Sequence, residues 1–127
     1  MKFNYVLQIL TLVLFSTFAQ ANIKTIEPQT VLKLIETQQA PLILDVRSAE
    51  EFYQGHIPGA INISYELLPE NQQLNAYKKQ DIIIYCRSGR RAQIASQVLQ
   101  KNGFKQLIDL NGHMIAWQQL HYPLALF

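Results

Sequence analysis

The sequence predicts an α/β fold in which a mostly parallel central sheet carries helices on both faces. Short apolar runs at Leu42-Ile43-Leu44 and at Asp81-Ile82-Ile83-Ile84-Tyr85-Cys86 have the composition of strands buried on both sides. Between and beyond them lie segments whose apolar residues recur at helical spacing, so strand and helix alternate along the chain. No internal repeat, low-complexity tract or second domain interrupts that alternation.

Residues 1–21 stand apart from the fold. Met1-Lys2 is a short positive start, Val6 to Phe18 is mostly apolar, and Ala19-Gln20-Ala21 offers the small-x-small pattern of a signal-peptide cleavage site. The apolar run falls short of the roughly 20 residues that span a bilayer. This pattern predicts export, to the periplasm, with no stable membrane span once the segment is removed. Residues 22–127 then form a single domain, large enough for one modest core.

Each element has a local cause. Pro28 suits the first turn of a helix, and Val31, Leu32, Leu34 and Ile35 continue it to Gln38. Ser48 and Glu51 form a capping-box pair, predicting a short helix over Ala49 to Gln54. The run from Gly55 to Gly59 is a turn by composition, and Ala60 to Ile63 fits a strand. Residues 64–80 are polar and weakly periodic, which suggests a short helix and loops. After the Asp81–Cys86 strand, a helix follows with Ile94, Ala95, Val98 and Leu99 on its expected buried face, stopped by Gly103. Leu107 to Leu110 reads as a strand, Asn111-Gly112 as a turn and Met114 to Leu120 as a last helix.

Charge narrows the function. Eleven Lys and Arg face nine Asp and Glu, and without Lys2 the balance is +1. A near-neutral total argues against nucleic acid as a partner. Local concentration is another matter, because Arg87, Arg90 and Arg91 lie within five residues. Positive side chains at a helix start oppose its dipole, a cost that a bound anion offsets.

Cys86, the single cysteine, cannot form an intramolecular disulfide. It is either a small buried hydrophobe or a thiol kept because it reacts. The loop Cys86-Arg87-Ser88-Gly89-Arg90-Arg91 favours reaction. It joins the end of a buried strand to a helix, at the rim where open parallel sheets bind ligands. Gly89 lets such a loop curl until its N–H groups converge. The helix start and the arginines should then hold Cys86 below the usual 8.5 or so of a free thiol. An anion cradle around one sulfur suits a persulfide, loaded from a small anionic donor such as thiosulfate and discharged to a thiol or cyanide acceptor. That chemistry needs no metal and no organic cofactor.

A resemblance points the same way. Leu44-Asp45-Val46-Arg47-Ser48, then Glu51-Phe52, then Gly55-His56-Ile57-Pro58-Gly59-Ala60-Ile61-Asn62 is similar to the N-terminal signature of rhodanese domains. Cys86 to Ala92 occupies the place of that family's active-site loop, and Gly112 to Trp117 is similar to its closing motif. The resemblance implies a single rhodanese-like domain of the thiosulfate sulfurtransferase type. It implies Cys86 as nucleophile and persulfide carrier, with the loop Arg87, Ser88, Gly89, Arg90 and Arg91 as the substrate-binding cradle. Asp45 and Arg47 would support structure near the site, His56 would stabilise the turn before the next strand, and Trp117 would pack in the core. One departure stands out: the family often has two glycines where this chain has Gly112-His113.

Two other classes share parts of the pattern. Cysteine phosphatases and arsenate reductases place an arginine six positions after the cysteine, where this chain has Ala92; Arg91 comes one residue early. The shorter loop better matches one sulfur atom than a tetrahedral oxyanion. A non-catalytic rhodanese-like binding or sensor module would not require Cys86 and a complete loop. The sequence indicates no particular protein partner.

Overall fold

The computed structural model describes residues 23–127; the predicted signal segment lies outside them. Five strands run in chain order as β1 (Lys24–Ile26), β2 (Leu42–Asp45), β3 (Ile61–Asn62), β4 (Ile82–Tyr85) and β5 (Leu107–Leu110). They form one sheet in the order β1-β5-β4-β2-β3, every pair parallel. Four helices join them: α1 (Pro28–Glu36), α2 (Ala49–Gln54), α3 (Arg90–Lys101) and α4 (His113–Gln119). The polar stretch before β4 folds as two short 3₁₀ turns, Tyr65–Glu70 and Asn75–Tyr77. Among the described residues no helix is long and apolar enough to cross a membrane.

Strand alternation divides the core. Ile82 and Ile84 of β4 point to one face, where Leu44, Ala92, Ala95, Leu99 and Leu68 pack. Ile83 and Tyr85 point to the other, against Val31, Ile57, Met114 and Trp117. Side chains reverse face at each residue of a strand, so Cys86 follows Ile82 and Ile84 onto the α3 side.

Several expectations shift. The edge strand β1 escaped the sequence reading because it is three residues long, with a lysine and a threonine exposed; its order comes from pairing with β5. Helix α1 ends at Glu36, two residues early, where Thr37 Oγ1 donates to the Lys33 carbonyl at 2.8 Å and Gln38 turns left-handed at φ 56°. Ile94 was placed on the buried face of α3 and is instead exposed; the face is Ala92, Ala95, Ser96 and Leu99. Those i, i+3, i+4, i+7 positions leave Ile94 on the flank, and three of the four side chains are small enough for α3 to lie close over β4. Helix α4 starts at His113, one residue earlier than its apolar pattern suggested.

Candidate active site

The site lies beyond the carboxyl ends of β2, β4 and β5. At β2, Asp45 and Arg47 are both buried and tied together. Arg47 Nε donates to both Asp45 carboxylate oxygens at 3.0 Å, and Nη2 donates to Oδ2 at 2.6 Å. The same Nη2 donates to the Gly55 carbonyl at 2.8 Å, fastening the end of α2. His56 is buried as well, with Nδ1 2.9 Å from the Phe52 carbonyl and its ring stacked on Phe52 at 3.6 Å. Its backbone also exchanges hydrogen bonds with Ala125, which straps the C-terminal segment over the turn. Asp45, Arg47 and His56 are thus engaged within the fold through Asp45–Arg47, Arg47–Gly55 and His56–Phe52 hydrogen bonds. Trp117 is wholly buried in α4, donating from Nε1 to the Pro123 carbonyl at 2.9 Å.

Across the sheet, Cys86 sits beneath the loop, 1 % exposed. Helix α3 has Gly89 at its N-cap and no capping side chain. Its first N–H groups would otherwise lack partners inside the protein. The sulfur fills that gap: the Gly89 N–H donates to Cys86 Sγ at 3.0 Å, and the Ala92 backbone also hydrogen-bonds the thiol. Gly89 reaches this position with φ 124°, a conformation closed to side chains with a Cβ.

His113 is the other polar neighbour. Its Nδ1 accepts from the Cys86 N–H at 3.2 Å, and its ring hydrogen-bonds the Cys86 side chain. Burial pushes the Cys86 thiol up, but His113 together with the Ala92 and Gly89 amides outweighs it and brings the pKa down to about 7. The depressed thiol expected from the sequence is present, and its cause is partly different. Amides contribute as expected; the guanidinium groups are not among the leading causes, and an imidazole is.

The arginines divide. Arg91 is engaged by Glu51 of α2 in a two-pronged pair, at 2.6 and 2.9 Å. The structure thus separates Arg91 from the other two cations, a distinction the sequence left open. Glu51 serves there as well as in its capping box: Ser48 Oγ accepts from the Glu51 N–H at 3.2 Å and donates to Glu51 Oε1 at 3.1 Å, while the same carboxylate pairs with Arg91. Arg87, Ser88 and Arg90 are exposed, and no ion pair among the described residues involves Arg87 or Arg90.

Helix α4 seats against this loop. Met114 and Ile115 N–H groups donate to the Cys86 and Arg87 carbonyls at 3.1 and 3.2 Å. Gly112 makes the approach possible, since a Cβ there would stand 2.4 Å from Ala116 Cβ and φ is 75°. Among the described residues no three His, Cys, Asp or Glu side chains converge as metal ligands would.

A family model for the rhodanese-like domain matches residues 27–120. The chain belongs to the rhodanese-like domain family. Among curated proteins, this rhodanese-like chain is 29% identical over 103 residues to a protein named sulfurtransferase from Allochromatium vinosum, covering 81% of this chain and 95% of that one. It is 32% identical over 96 residues to the putative sulfurtransferase YtwF of Bacillus subtilis, covering 76% and 91% respectively. Among solved structures, the Alr3790 protein from Anabaena superposes with a TM-score of 0.72 at 26% identity, covering 80% of this chain and 82% of that one.

Sequence reasoning located Cys86, its loop and the Asp45–Arg47 support. It missed Glu51 as the partner of Arg91, and Asp109, which lies 3.4 Å from His113 Nε2. Glu51 was visible only as a cap, because its second role depends on α3 being brought beside α2. Asp109 and His113 are four residues apart around the Gly112 turn, a spacing that could have flagged them.

Proposed function

We propose that this rhodanese-like protein is a sulfurtransferase that carries sulfane sulfur on Cys86. One observation carries the reading: a buried thiol with its ionisation drawn down to about 7, held by amides at the start of a twelve-residue helix. Such a cradle stabilises an anionic sulfur. An outer persulfide sulfur is an anion of the same kind.

The donor is a small anion of the thiosulfate class, drawn by the exposed Arg87 and Arg90 beside Gly89. The Cys86 thiolate attacks the donor's outer sulfur. The sulfur–sulfur bond to the sulfonate breaks, and sulfite departs with the electron pair. An acceptor thiolate or cyanide then attacks the stored sulfur, and Cys86 leaves as thiolate. Each half of the cycle is a displacement at sulfur, so no redox partner is required.

Folded, reduced protein incubated with thiosulfate is expected to gain the mass of one sulfur atom and release sulfite, and Cys86→Ser protein is expected to do neither. Hydrolysis of p-nitrophenyl phosphate with no sulfur uptake would instead assign the loop to phosphoryl chemistry. Export belongs to the same reading, supported by the charge, apolar run and Ala19-Gln20-Ala21 pattern of residues 1–21. Fractionated cells should yield an extracytoplasmic form beginning at Asn22.

A further inference from the structure

The displacement chemistry leaves one buried titratable side chain without a role. His113 is 5 % exposed and held from two sides, by the Cys86 N–H at Nδ1 (3.2 Å) and by Asp109 Oδ2 at Nε2 (3.4 Å). Its backbone is left-handed, φ 53°, directly after the left-handed Gly112. A glycine would adopt that conformation freely, whereas a side chain with a Cβ resists it. Strain of this kind, retained beside a nucleophile, marks a side chain kept for what it does.

The ring also forms a boundary. One edge meets the sulfur's surroundings, and Gly89 packs so closely that a Cβ on it would stand 3.2 Å from Nε2. Beyond lies a cavity of about 770 Å³ bordered by His113, Asp109, Thr25 and Gln93. The Asp109 side chain is 31 % exposed, so solvent reaches it. Asp109 of β5 and Cys86 after β4 are the titratable side chains in contact with the ring. Across the cavity, Lys101 at the end of α3 is the one other charged residue of its lining.

We propose that Asp109 and His113 act as a charge-holding pair for Cys86: the Asp109 carboxylate keeps the buried imidazole protonated, and the imidazolium beside the sulfur stabilises the thiolate. When the thiol ionises, the S–H bond breaks with its electron pair staying on sulfur and its proton passing to solvent, while the ring keeps the proton it already holds. With the ring neutral, its proton sits on Nε2 toward Asp109 and Nδ1 accepts the Cys86 amide. With the ring charged, both nitrogens are donors, and the positive charge of the ring lies beside the sulfur. Burial lowers the His113 pKa, but Asp109 and Cys86 on either side overcome it and raise it to about 9. The imidazolium thus remains charged over the range in which the thiolate forms, as counterion to the thiolate and then to the persulfide.

This inference rests on the sulfurtransferase reading for its purpose and is measured without a sulfur donor. Thiolate absorbance in the ultraviolet and iodoacetamide alkylation of the full chain are followed against pH, whose inflection is independent of how fast reagent reaches the sulfur. The inflection near 7 is expected to move up toward the ordinary thiol value of about 8.5 in His113→Asn and His113→Gly proteins, slowing alkylation at pH 6 on the order of tenfold. Both replacements suit a left-handed backbone, so folding is retained, and Asn also keeps an acceptor for the Cys86 amide. Asp109→Asn should move it less, in the same direction. An unchanged inflection in both His113 variants overturns the proposal, and an unchanged one in Asp109→Asn alone removes Asp109 from it. Failure of the wild-type chain to take up sulfur would strike the sulfurtransferase reading while leaving these titrations as they stand.

Discussion

Tyr85 and Cys86 are neighbours at the end of one strand, equally withdrawn from water, and their ionisations move in opposite directions. Burial disfavours the charged form of each. Tyr85 faces the α1–α4 layer, where burial and the nearby Asp45 carboxylate push its phenol well above its ordinary value. Its oxygen there accepts the Ile57 N–H at 3.1 Å, and the Arg47 guanidinium lies over its ring at 5.7 Å. Cys86 faces α3, whose amides, together with His113 reaching in from the start of α4, reverse the effect of burial. Depth alone therefore does not decide whether a rim residue is inert or reactive; the polar groups that the facing layer aims at it do. On the Tyr85 face those groups are already paired with one another. On the Cys86 face, N–H groups of a helix start converge on a sulfur.

Breaking the closed face should cost the most. Asp45→Ala leaves the buried Arg47 guanidinium without its carboxylate and should destabilise the fold by about 3–5 kcal/mol, as removing one partner of a buried pair does. The midpoint of urea unfolding would report it, and a loss below about 1 kcal/mol would show that the two faces are not as different as their hydrogen bonds suggest. Gly112→Ala acts where α4 meets the loop. Its methyl would collide with Ala116 in a left-handed backbone, a loss of about 2–4 kcal/mol by the same measurement.

On the open face, function should move while stability stays. Replacing both Arg87 and Arg90 by Ala should leave unfolding within about 0.5 kcal/mol of wild type. Sulfur uptake from thiosulfate is expected to slow about tenfold or more at low salt, with much of its salt dependence gone. Equal uptake would show that the cradle amides alone attract the donor.

The smallest effect belongs to Glu51 and Arg91, which bridge α2 and α3 at the surface. Arg91 holds the Glu51 carboxyl down at about 2, with burial working against it. A depressed carboxyl stabilises the fold above its unfolded value, and that contribution fades as pH falls from there through about 2. Both side chains keep roughly a third of their exposure, so solvent screens the pair and Glu51→Gln should cost under about 1 kcal/mol near neutrality. The difference between variant and wild type should shrink further below pH 4. Freed from Glu51, Arg91 would join Arg87 and Arg90 as a third available cation, so this variant also tests whether donor uptake rises with local charge.

Much of this was legible in the residues. Three consecutive isoleucines announced β4, and Ser48 announced α2, because strand composition and helix caps are local chemistry. Ile94 was misplaced because helical spacing alone does not say how closely α3 lies on the sheet; that depends on the small Ala92, Ala95 and Ser96. Strand β1 left little trace because its order comes from β5, more than eighty residues away. The sequence could not separate the three arginines for a similar reason: Arg91 is set apart by a carboxylate forty positions earlier.

By itself, then, the sequence determined the alternation of elements, the strand that ends at Cys86, the glycine that lets the next loop curl, and the positive charge around it. These follow from preferences that act over a few residues. The tertiary structure alone decided which face the sulfur shares, which arginine is already paired, and that His113 and Asp109 stand behind the thiol. Those depend on β4, β5, α2 and α3 meeting at one rim, and side chains far apart along a chain acquire a common electrostatic environment only once packing has brought them together.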